Sequence, residues 1–125
     1  MVHYSYEQMV GVAEILSGLV SLNGSADMYV VETSWIEDGT QEYSSVGGEA
    51  FLFSAEYSAK GAYQEILSNV QVDDFSIFDI SIARYKIDRD SIEMPITSES
   101  LSEFYAMNVD SGNEIESKRV LGKCL

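Results

Sequence analysis

Histidine and cysteine are nearly absent from this 125-residue chain, where His3 and Cys124 stand alone, one near each end. Zinc sites and activated nucleophiles draw on clustered His and Cys, so neither chemistry finds its usual ligands or bases here. No HExxH, CxxC or GxSxG motif occurs. A lone cysteine permits no intramolecular disulfide, and Cys124 does not stand four residues from the end as a prenylation box requires. Proline occurs once, and 46% of the residues are hydrophobic, a composition that folds instead of staying disordered. Long apolar runs are missing too. The stretch MVGVAEILSGLV is interrupted by Glu14, follows no basic segment and is too short to cross a bilayer. The expectation is a cytoplasmic protein without membrane contact, in which the sequon Asn23-Gly24-Ser25 carries no glycan.

The most informative scarcity is of positive charge. Residues 1–83 hold 13 acids and one base, Lys60, whereas residues 84–125 hold 8 acids and 6 bases, within a total net charge of −14. A surface that only needs to be soluble mixes both signs. A field of one sign repels nucleic acid and anionic membrane, and speeds association with a basic partner by roughly 10- to 1,000-fold. Direct nucleic-acid binding is therefore not expected.

A chain of this length makes one domain, residues 1–125. Ser5 as N-cap with Gln8 three residues on, then Met9, Val12, Ala13, Leu16, Leu19 and Val20 at helical spacing, predict a helix over 6–22 that stops at Asn23-Gly24. Alternation from Met28 to Ile36 predicts a strand. Asp38-Gly39 turns it into a hairpin with a return arm over 41–46, and Gly47-Gly48 bends the chain into a third strand near 49–54. Gly47-Gly48 lacks any phosphate-loop frame. A second helix is expected over 58–69. The run FSIFDISIARYKI is a strand whose apolar residues fall on both parities, which implies either a bulge or burial of both faces. Ile92, Met94 and Ile96 alternate as an edge strand bearing Pro95. For the segment after Phe104 a hairpin about 110–113 is favoured over a short helix begun by Ser100 and Glu103. Together these elements predict an α+β domain with two helices packed on an antiparallel sheet.

Chemistry-bearing motifs are weak. The segment Asp88–Glu93 has Glu93 where a calcium loop needs glycine, and Asp110–Glu116 has the pattern of a plain turn. No metal, cofactor or catalytic residue is assigned. A carboxylate-based enzyme has acids enough, but no spacing that singles out a pair. The aromatic residues say more. Trp35, Tyr43, Tyr57 and Tyr63 lie in the base-poor region, and such residues often anchor interfaces. Trp35 and Tyr63 share a face with apolar neighbours and are expected in the core, whereas Tyr43 sits on a polar arm.

In size and acidity the chain is similar to small anti-CRISPR and anti-restriction proteins of phages and mobile elements. That similarity of type implies an inhibitor whose carboxylates take the place of phosphates on a basic protein surface, with no enzyme activity. The candidate partner-binding residues are Glu32, Glu37, Asp38, Glu42, Tyr43 and Glu49. An immunity protein that covers the basic cleft of a cognate nuclease toxin is the alternative, with the same physics and a different partner.

Overall fold

The computed structural model describes residues 6–38 and 43–123. Helix α1 (Tyr6–Asn23) leads into strand β1 (Ser25–Asp38), which pairs antiparallel with β2 (Tyr43–Phe53). Helix α2 (Glu56–Asn69) then returns the chain to β3 (Ser76–Asp88) on the other side of β1. A 3₁₀ turn at Arg89–Ser91 and a loop precede helix α3 (Ser98–Asn108), and β4 (Asn113–Leu121) closes the sheet beside β3. The strand order is β2-β1-β3-β4, all antiparallel, so the protein is a mixed α+β domain.

Helices cover both faces of this sheet. Leu16 and Val20 of α1 and Leu101 and Phe104 of α3 pack against Met28, Val30, Tyr85 and Ile87. On the opposite face Ala59, Ala62 and Tyr63 of α2 pack on Val31, Phe78, Ile80 and Ile82. The double parity of the run 75–87 therefore reflects a central strand buried on both sides. Tyr63 lies wholly in the core, as its helical position implies.

Helix α1 ends where Gly24 adopts φ 84° and its N–H donates to the Val20 carbonyl at 2.8 Å. That left-handed turn suits glycine. Its N-terminal cap, Ser5, lies outside the described residues. Gly11 and Gly18 have nothing within 4 Å of where a Cβ would stand, so no close approach of the sheet requires glycine at either position.

Three readings of the sequence need correction. Gly47-Gly48 does not separate two strands: β2 runs through both, and the pairing shifts register opposite Trp35 and Ile36. A Cβ on Gly48 would lie 2.8 Å from the Thr33 carbonyl oxygen, so glycine there serves the close approach of β1 and β2. Residues 92–97 form no strand. They are a loop whose Ile96 N–H donates to Ser17 Oγ at 2.9 Å, pinning alternate side chains into the α1 layer in imitation of a strand. Finally, residues 98–108 are helical, and no hairpin turns at 110–113. The Thr97 side chain accepts from Ser100 N–H while Ser100 Oγ accepts from Thr97 N–H, a reciprocal cap with serine in place of the usual Glu or Gln.

Candidate functional site

Two concavities open on the sheet, one on each face, because neither helical layer extends over its full length. On the α2 face, helix α2 ends at Asn69 and leaves an aromatic groove of about 290 Å³. Its floor is Trp35 of β1 and Phe78 of β3, which pair across the two strands, with Phe51 of β2 further along the same face, opposite Val31. The Trp35 and Phe78 rings meet at 4.8 Å between centroids, tilted by 52°. Ile66 and Val70 form an apolar wall, and Thr33, Asn69 and Gln71 supply neutral polar groups. Glu49 is the one charged residue of the lining among the described residues. Trp35 is thus half-buried: its packing on Phe78 agrees with a core role, and its remaining surface opens into the groove.

The opposite face carries a polar cleft of about 430 Å³ beyond the edge of the α1 and α3 layer. Ser34 and Asp79 pair across β1 and β3, and Arg119 of β4 holds Asp79 in a bidentate bridge at 2.8 and 2.9 Å. The guanidinium hydrogen bonds draw the Asp79 carboxyl below the usual carboxylate range, against a smaller opposing effect of burial. At the cleft's inner end Glu32 is claimed by tyrosines. Buried Tyr85 donates its hydroxyl proton to Glu32 Oε1 at 2.9 Å, and Tyr105 lies close enough to feel the same carboxylate. Burial first, then the Glu32 charge, pushes both phenols far above their ordinary value. The rings meet edge to face at 5.6 Å. Every cationic group of this cleft is on β4, and its best-placed one is already engaged by Asp79.

The residues singled out in the sequence separate accordingly. Glu49 stands exposed opposite Thr33 on the α2 face, at the groove. Glu32 stands opposite Ala50, on the other face, partly buried and hydrogen-bonded. Glu37 and Asp38 end β1, their backbones paired with Ser44 and Tyr43. They adjoin the groove's end of the sheet, since Glu37 also pairs with Ser76 of β3. Glu42 lies outside the described residues. Exposed Asp73 and Asp74, in the turn that enters β3, add two further acids to this end of the sheet. Sequence reasoning passed over Asp73 and Asp74 as turn residues. It also passed over Phe51 and Phe78, which share the groove lining with Trp35 although they lie 16 and 43 positions from it in sequence.

Among the described residues, no group of three or more His, Cys, Asp or Glu is disposed to hold a metal ion, and no helix is long and apolar enough to cross a membrane. Fold and site together define an acidic α+β domain with an aromatic groove on one face and a polar cleft on the other. No known family, curated protein or solved structure matches the chain.

Proposed function

We propose that this protein is a small acidic inhibitor that binds the basic, nucleic-acid-binding surface of another protein, with carboxylates in the place of phosphates. One observation carries the reading. From Tyr6 to Ala83 the single base, Lys60, is engaged by Glu56 at 3.9 Å, while Glu14, Asp27, Glu49, Glu65, Asp73 and Asp74 stand exposed with no ion pair among the described residues. Unneutralised carboxylates attract a basic surface over long range. The same charge repels nucleic acid, which speaks against it as the direct ligand.

Glu37, Asp38, Asp73 and Asp74 fall where β1 ends and β3 begins, the end that also bears the aromatic groove, with Lys123 beside them, its carbonyl accepting from the Phe75 N–H. Arg84, Lys86 and Arg89 lie at the far end of β3 and beyond it, where Asp27, Asp88 and Asp90 accompany them.

The test is an association-rate comparison. Affinity capture from the native host supplies the partner, and two triple variants are compared with the parent: E37Q/D38N/E42Q, and D110N/E114Q/E116Q from the charge-balanced region. The hairpin variant should associate more slowly at low salt, and the difference should shrink as the Debye length falls to about 8 Å at physiological ionic strength. Equal losses from both would reduce the effect to diffuse charge. No loss from either would remove the hairpin end from the interface.

A further inference from the structure

The aromatic groove combines groups that seldom meet in one place by the needs of folding alone. Its wall of Ile66 and Val70 is aliphatic and its floor aromatic, and among the described residues its one charge is the exposed carboxylate of Glu49, with no base in the lining. The Asn69 side chain donates through Nδ2 to the Glu65 carbonyl at 2.8 Å, which leaves its amide oxygen as an acceptor facing no competing donor within the helix. At about 290 Å³ the space falls just under the roughly 300–1,000 Å³ of clefts that hold small-molecule ligands. It has the room of one long side chain.

We propose that this groove is a socket for an arginine side chain presented by a basic segment of the partner. Each part of arginine has a counterpart. The methylene stem lies along Ile66 and Val70, as long cationic side chains bury their stems on apolar surface. The planar guanidinium stacks on Trp35, within the ~6 Å over which an aromatic face attracts a cation. Its N–H groups reach Glu49, a charge-assisted contact, and the Asn69 amide oxygen.

Charge complementarity selects this occupant over an anionic or neutral one. Exposed Asp73 and Asp74 follow the loop that closes the groove at Gln71, so an incoming anion meets repulsive charge there. Lysine fits less well. Its strongly hydrated, compact ammonium cannot stack as a plane. The inference rests on the reading of the acidic surface as a docking face for a basic protein, and it names the anchor of that face.

Trp35 is the only tryptophan of the chain, so its fluorescence reports the groove directly. The intact protein is titrated with a tetra-arginine peptide and, in parallel, with tetra-lysine at the same ionic strength. A saturable change in Trp35 emission is expected with arginine, about tenfold weaker with lysine. Glu49→Gln should weaken the arginine peptide about tenfold, as loss of one charge-assisted partner does. Asp90→Asn, in the 3₁₀ turn beyond the opposite end of β3, should leave it unchanged.

Equal affinities for the two peptides, with Glu49→Gln and Asp90→Asn alike, would overturn the socket while the acidic surface still bound bases. Peptide binding without any change at Trp35 would overturn it as well. So would a Trp35 response to benzyl alcohol with none to arginine, which would assign the groove to an apolar small molecule. The association rates of the hairpin variants and the Trp35 titration are separate readouts, so a failure of the acidic-surface reading is told apart from a failure of the socket.

Discussion

Glu32 owes its place to two phenols and a glycine. A Cβ on Gly112 would come within 2.5 Å of the Tyr85 ring, so the bare backbone at 112 is what lets Tyr85 lie flat enough to reach the carboxylate. The same hydroxyl oxygen lies 3.1 Å from the Val109 carbonyl, and with one proton to give it serves the charge. These contacts have a consequence for alkaline stability. Because Tyr85 and Tyr105 ionise far above the ordinary phenol value when folded, their contribution is complete below the unfolded value of about 10 and is lost as pH climbs from there toward the folded value. Urea denaturation midpoints should therefore fall above about pH 10. Tyr85→Phe should remove part of that decline. At neutral pH the same variant should cost about 1.5–3 kcal/mol, the worth of a hydrogen bond to a charged group. A midpoint that stays level to pH 11, or a variant as stable as the parent, would contradict the network.

Among the elements, α1 shows most plainly what packing has to offset. Its inner face is buried, but Ile15, Leu19 and Leu22 face outward, with Leu22 82% exposed. Gly11 and Gly18 interrupt it without any neighbour that requires them. Gly18→Ala should accordingly stabilise the protein by about 1 kcal/mol, read as a higher urea midpoint at unchanged slope. Destabilisation would mean that the glycine meets a need in the fold. The extent of α1 was legible because cap, spacing and stop agree over three turns. Helix α3 was not, for a physical reason: its capping box uses Ser100 where the pattern looks for Glu or Gln, and the buried stripe has only Leu101 and Phe104 to announce it. Ile92, Met94 and Ile96 misled in the opposite direction, since a loop pinned at Ser17 alternates as a strand does. The groove was least legible of all. Trp35, Phe51, Phe78 and Ile66 are distant in sequence and become neighbours only through strand register and the place where α2 stops.

For the whole molecule, electrostatics sets a term that no single contact reports. Three ion pairs, Lys60–Glu56, Lys86–Asp88 and Arg119–Asp79, are found among the described residues, against 21 acids in the chain. Self-repulsion in the compact state is therefore largely unrelieved. Raising ionic strength from about 0.01 M to 0.15 M shortens the Debye length from about 30 Å to 8 Å, which screens repulsion across the domain more than it weakens the three close pairs. The melting temperature should rise over that interval. A fall would show that attractive pairs outweigh the excess of acid.

The sheet order β2-β1-β3-β4, with helices on both faces, also divides the chain by its freedom to change over generations. β1 and β3 have neighbours on either hand and on either face, so most substitutions there carry a packing penalty that purifying selection would remove. The solvent-facing positions of the edge strands and of the outer helix surfaces bear less of that burden, unlike Gly48, Leu52 and Phe53 of β2. Glu49 lies exposed on one of those edges. Descent can therefore redraw the outer charges one by one while the two inner strands keep the fold in place.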